Sequence, residues 1–191
     1  MTVVAPDIVD LARRASAGET AAAHELLREL EPVVVRTVRL VVGSGSWTAE
    51  DAAQEALLDI ARGVHSLRDP RAVRAWALRV AAQRALKVSR RERLVSLRRA
   101  PNLDPDLLAE SGEPETGRSA AIKAAFDLLP PRLRATAVLR LHAGLSEEET
   151  AEVLGCSVGT VKSNLHDARR RLARALRERG FEPTTVPKEA T

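Results

Sequence analysis

The chain of 191 residues is short of the features that build disulfide-bonded, metal-bound or membrane-spanning proteins. Its only cysteine is Cys156, so no intrachain disulfide can form, and a reducing compartment fits. Four scattered histidines with no Cys/His cluster provide no zinc-type ligand spacing, and no metal or other cofactor is expected. No apolar run approaches the roughly 18 residues that a membrane span needs. The acidic start, with Asp7 and Asp10, lacks the basic-then-apolar order of a signal peptide, so the cytoplasm is the expected location, without membrane insertion. A phosphate loop is missing, as are a nucleophile with an evident base and a legible carboxylate pair, and these absences argue against an enzyme. Strand-like alternation is missing too.

What remains is a charge pattern that the net +4 conceals. Residues 68 to 99 carry eleven Lys and Arg against two acids, while residues 100 to 118 carry one Arg against five acids. Residues 119 to 179 are basic again, with eleven cations against seven acids. Solvated helix faces are the ordinary meaning of charge runs. Arginine at this density suggests a polyanion, because neutralising phosphates releases counterions and the guanidinium fork clamps phosphate oxygens.

Apolar positions recur at helical spacing, and Ala, Leu, Arg and Glu dominate, which predicts an all-α protein. The pattern breaks in RRAPNLDPDLLAESGEPETGRS, where prolines, glycines and acids replace periodicity. Two small helical domains joined by a flexible acidic linker follow: 1–95, a linker over 96–119, a four-helix domain over 120–180, and a short tail over 181–191. The first domain is expected to hold a helix from Asp7 to Ala17 and one or two between Glu19 and Val42, because Pro32 removes a backbone donor. Another helix should run to Val64, capped by Thr48 with Asp51 at N3, and a fourth from Pro70 to about Arg93, capped by Asp69. The second domain should hold helices over 120–129, 131–143, 146–154 and 157–179.

LSEEETAEVLGCSVGTVKSNL carries the marks of a helix-turn-helix. Ser146 and Glu149 form a capping box, Gly155 supplies a left-handed stop, and Ser157 caps the next helix after a three-residue turn. Ala151 is small where two crossing helices touch, and Val158, Val161 and Leu165 lock the second helix on the first. At 100° per residue, Ser163, Asp167, Arg170 and Arg174 point away from that apolar face. Thr160, Lys162, Asn164 and His166 flank it, giving a donor-rich surface suited to the major groove. Asp167 stands among them as an acid where phosphates would be near. It can pair with Arg170 or Arg171, accept from cytosine N4, or penalise promoters that bring a phosphate close.

AEDAAQEALLDI, VRAWALRVAAQRALKVSRRER and LPPRLRATAVLRLHAGLSEEETAEVLGCSVGTVKSNLHDARRRL, in that order, resemble the extracytoplasmic-function (ECF) group of sigma-70 RNA polymerase sigma factors over about residues 20 to 180. The resemblance implies a transcription initiation factor without enzymatic activity. Its first domain would hold the β′ clamp helices of core RNA polymerase and melt the −10 element of promoter DNA. Its second would read the −35 element and dock on the β flap, and an anti-sigma factor is a partner it leaves open. Asp51, Gln54 and Glu55 then fall in the core-binding helix, with solvated surface as the plain alternative. Trp76, Arg79, Gln83, Arg84, Lys87, Arg90 and Arg91 map to the −10 helix, where a single strand needs a basic groove and stacking faces. Trp76, spaced with Val73 and Val80, suits the core better than it suits a stacking platform. Ser157, Thr160, Lys162, Ser163, Asn164, His166, Asp167 and Arg170 map to the −35 helix.

The chain departs from the family pattern at Gln83, usually Asn, at Lys87, usually Asp, and in SLRDPRA, which lacks the usual aromatics. Asn164 and Asp167 replace common arginines, so an atypical −35 sequence is implied. Two other readings stay open: a helix-turn-helix regulator acting without core polymerase, and a sigma-like interaction protein that no longer initiates transcription.

Overall fold

The computed structural model describes residues 7–43, 46, 48–98 and 117–181. The expected linker and tail fall largely outside these residues. Helix α1 (Ile8–Ser16) starts where the Asp7 carboxylate accepts from Val9 N at 3.0 Å. Helix α2 (Thr20–Val42) is continuous through Pro32. A proline inside a helix costs about 3 kcal/mol. Here Leu26, Leu30, Val34, Val38 and Val41 on both sides of it bury one unbroken stripe, and that burial outweighs the missing bond.

Helix α3 (Ala49–Gly63) passes into a 3₁₀ turn at Val64–Ser66. The expected cap does not form: Thr48 makes no side-chain bond to the helix, and its hydroxyl donates instead to Glu92 Oε1 at 2.6 Å. Ser46 Oγ donates to the same oxygen at 2.7 Å, so a distant carboxylate has claimed the capping hydroxyl. Asp69 does cap, accepting from Arg71 N at 2.9 Å above a 3₁₀ turn, Pro70–Ala72, that opens α4 (Val73–Arg98). Alanines at 52, 53 and 56 on α3, and at 77, 81 and 85 on α4, are buried against α2. Such small contact residues let helix axes approach closely.

The second domain comprises α5 (Arg118–Asp127), α6 (Pro131–Ala137), α7 (Glu147–Leu154) and α8 (Val158–Arg177). The helix expected over 131–143 changes character: α6 widens into a π turn over Val138–His142. The Arg140 guanidinium donates to the Leu145 carbonyl, and Leu145 N donates to Leu139 O at 3.0 Å, which folds the loop back on the widened turn. No strand occurs among the described residues, and no helix there is long and apolar enough to cross a membrane.

Sequence reading gives two domains with a linker between them and nothing about how they meet. In the structure they pack directly. One apolar cluster runs from Leu26, Val38 and Ala81 of the first domain to Phe126, Val138 and Leu172 of the second. A second cluster sets Ala82 of α4 under Leu139, Leu145 and Val153.

Candidate nucleic-acid interface

The helix-turn-helix is α7 and α8. Ser146 Oγ accepts from Glu149 N at 3.1 Å while Glu149 Oε2 accepts from Ser146 N at 2.8 Å, a complete capping box. Gly155 closes α7 with φ 61° and ψ 47°, the left-handed conformation its position demands. Ser157 Oγ accepts from Thr160 N at 3.1 Å and lies 2.9 Å from Thr160 Oγ1, so this hydroxyl is engaged at the helix start. Val161, Leu165, Ala168 and Leu172 are buried, Ala151 is buried beneath them, and Val158 is partly exposed.

That burial fixes the outer face of α8. Lys162, Ser163, His166 and Arg170 are exposed, while Thr160 and Asn164 are partly covered and line the cleft toward α4. Lys162 Nζ lies 3.4 Å from the Glu147 carboxylate. Asp167 lies 3.4 Å from Arg170 Nη2, an exposed pair one turn apart, of the kind worth a few tenths of a kcal/mol.

The residues of α4 divide by partner. Trp76 is half-buried on the first core, its ring so close to Gly63 that a Cβ there would stand 2.9 Å from Cζ2. Arg84 donates to Asp59 and, at 3.0 Å, to Glu55, and the hydrogen bond to Asp59 holds its guanidinium pKa above the ordinary value. Arg79 reaches across to α7, 3.3 Å from Glu149 and 3.2 Å from Glu152. Gln83, Lys87, Arg90 and Arg91 are exposed, the last three forming a cationic run toward the end of α4.

On α3, Asp51, Gln54 and Glu55 are exposed along one stripe, as their spacing implies. Sequence reasoning missed Leu58 on the same stripe, which is 53% exposed. The available signal was its register: at i+3 and i+4 from Glu55 and Gln54, it cannot join the buried set of Ala52, Ala56 and Ile60. Two further residues escaped notice because their partners lie far off in sequence. Arg134, only 12% exposed, donates from Nε to Val41 O at 3.2 Å and from Nη2 to Val42 O at 2.7 Å. Burial lowers the Arg134 pKa, partly offset by the Asp127 carboxylate at 3.8 Å. His142 is pushed below the ordinary histidine value by burial, then by the charges of Arg36 and Arg74.

Among the described residues no group of three or more His, Cys, Asp or Glu is placed to hold a metal. The arrangement offers polar and cationic helix faces.

Residues 26–95 match the family model for sigma-70 region 2, and residues 119–172 match that for sigma-70, region 4. The ECF RNA polymerase sigma factor SigM of Mycobacterium tuberculosis is 34% identical over 166 residues, covering 84% of this chain and 80% of that protein. The ECF RNA polymerase sigma factor SigE of Mycolicibacterium smegmatis is 32% identical over 153 residues, covering 78% of this chain, which spans only 59% of that relative's length. The sigma factor RpoE of Bartonella quintana, solved in complex with the anti-sigma factor NepR, shares the fold at a TM-score of 0.61. It is 22% identical, over 79% of this chain and 94% of that one.

Proposed function

The chain belongs to the ECF sigma factors of the sigma-70 family, promoter-specific initiation subunits of bacterial RNA polymerase, and from that premise we propose how its residues divide the work. The region 2-like domain (1–95) binds core polymerase and handles the −10 element, and the region 4-like domain (120–180) reads the −35 element. The acidic segment 96–119 links them, and 181–191 is a tail. The observation that carries the assignment is the orientation of α8: its apolar side is spent on the helix-turn-helix core, leaving Lys162, Ser163, His166 and Arg170 facing outward.

On α8, donors meet base edges and phosphates, with Ser157, Thr160 and Asn164 at its inner edge. Asp167 shapes −35 preference, either directly or by holding Arg170. On α4, Lys87, Arg90 and Arg91 track the backbone of the −10 region, with Arg79, Gln83 and Arg84 beside them. Trp76 positions α4 from the core side. On α3, the stripe of Asp51, Gln54, Glu55 and Leu58 docks on the β′ clamp helices, an apolar side chain ringed by polar ones as in ordinary interfaces. The second domain meets the β flap. The chain works in the cytoplasm without a reaction or cofactor of its own, and an anti-sigma factor is a fitting further partner.

A regulator using the helix-turn-helix alone would leave residues 26–95 without a role. The test is the purified chain with core polymerase and run-off transcription on a genomic fragment library. Transcripts from a discrete promoter set are expected, and failure to form a stable complex with core refutes the reading. Asp167→Arg in the same assay should change the selected −35 sequence; an unchanged preference leaves Asp167 only its intrahelical pair.

A further inference from the structure

A cavity of about 370 Å³ is lined by Arg90 of α4 from the first domain and by Arg132 of α6 and Asn164 of α8 from the second. Small-molecule sites begin at about 300 Å³ and are mostly apolar, with a few convergent polar groups. This cavity has that make-up. Leu86, Pro131, Ala135 and Leu154 give it apolar walls, and three guanidiniums, those of Arg90, Arg132 and Arg134, face one carboxylate, Glu92.

We propose that the cavity binds a small amphipathic anion, an apolar body carrying one sulfonate, carboxylate or phosphate group, and that this ligand and promoter DNA exclude one another. Two of the four charged groups are already engaged. Arg134 donates to Val41 O and Val42 O, and Glu92 Oε1 accepts from Ser46 and Thr48. Arg90 and Arg132 are exposed, and among the described residues neither guanidinium makes an ion pair or a hydrogen bond. In so small a cavity two such side chains can converge on one anionic group with charge-assisted bonds. The Asn164 carboxamide, partly covered and without a partner among the described residues, adds a donor and an acceptor. The apolar walls take the body of the ligand, because its burial removes apolar surface from water on both sides. Promoter DNA calls on the same groups, since Arg90 is assigned to the −10 backbone and Asn164 to the inner edge of the −35 helix. The competition therefore rests on the function proposed above; the site itself does not.

Cys156 lines the same cavity and is the only thiol, so its protection localises whatever binds there. The probe is anilinonaphthalenesulfonate, a fluorescent aromatic sulfonate. Phenylnaphthylamine has the same rings without the anion, and inorganic sulfate has an anion without the rings. In the full-length chain the sulfonate probe should bind at one site and slow maleimide labelling of Cys156 in proportion to occupancy. Phenylnaphthylamine and sulfate should each bind about tenfold more weakly or worse. Arg132→Gln, at an exposed side chain given no part in DNA reading, should weaken the sulfonate probe about tenfold and leave phenylnaphthylamine unchanged. The probe should weaken binding of a promoter fragment selected in the library assay, and by linkage the fragment should displace the probe to the same degree.

No binding of the probe, or binding that leaves Cys156 unprotected, overturns the site. Protection that phenylnaphthylamine matches, or that Arg132→Gln leaves unchanged, overturns the anionic half, and protection by sulfate as strong as by the probe overturns the apolar half. If the probe protects Cys156 while promoter affinity stays the same, the competition is overturned and the site stands. If the chain binds no promoter even without the probe, the function proposed above has failed and the competition falls with it, whereas thiol protection still judges the site. Circular dichroism of Arg132→Gln guards against unfolding, and the neutral analogue on the parent chain tests the anion without any substitution.

Discussion

Replacing Gly155 by alanine isolates a backbone effect in the helix-turn-helix. Gly155 sits at φ 61° and ψ 47°, and a Cβ built there meets nothing within 4 Å, so no steric clash with neighbours is added. The cost is the left-handed conformation itself, roughly 1–2 kcal/mol for a residue with a Cβ. The stiffer unfolded chain recovers less than that, as alanine does wherever φ is positive, giving a net loss of about 1 kcal/mol. Asparagine tolerates the conformation better and should cost less than half as much. If the chain melts as one unit, alanine should lower Tm by about 2–4 °C. Urea and thermal unfolding of the three proteins would measure this, with promoter binding well below the melt staying within a few-fold. A loss beyond about 3 kcal/mol, or asparagine no better than alanine, would refute the argument that conformation alone makes this glycine necessary.

Two leucine-class residues on α3 should behave oppositely. Ile60→Ala, at a fully buried position, should destabilise the chain by about 2–5 kcal/mol in urea unfolding. Leu58→Ala, on the exposed stripe, should change stability by no more than about 0.5 kcal/mol yet weaken core polymerase binding about tenfold or more in a titration. Ser146→Ala removes the acceptor for Glu149 N and should cost about 1 kcal/mol of stability, read from chemical denaturation. His142, faced by Arg36 and Arg74, has a folded-state pKa below its ordinary value near 6.5. The unfolded chain therefore takes up a proton first on acidification, and the stability present above about pH 6.5 is lost as pH falls through the folded pKa. Denaturation at about pH 7.5 and pH 5.5 should show a larger loss for the parent than for His142→Gln; equal losses would remove His142 as a cause.

Much of the second domain was legible because its signals are local. Ser146 with Glu149, Gly155, and Ser157 each act within four residues, so spacing alone names the caps and the turn. The buried face of α8 follows from a period of 3.6 in the same way. Local reasoning failed where a distant group competed. Thr48 had the right position to cap α3, but Glu92, 44 residues away, took its hydroxyl. Pro32 left one or two helices open, and the core stripe of α2 keeps a single one, while the π turn after α6 carries no signal of its own in the periodicity.

The functional faces divide along the same line. By itself the sequence determined an all-α chain, two basic regions and a helix-turn-helix, because composition, periodicity and caps are properties of neighbouring residues, while the family came from the resemblance of its motifs to known ones. Tertiary structure decided which cations are engaged: Arg84 goes to α3, Arg79 to α7 and Arg134 to the end of α2, while Lys87, Arg90 and Arg91 stay exposed. Every one of these is a basic residue on a helix, with the same charge and a similar reach. What separates them is the acceptor that folding brings within about 3 Å, and that depends on residues far away in the chain.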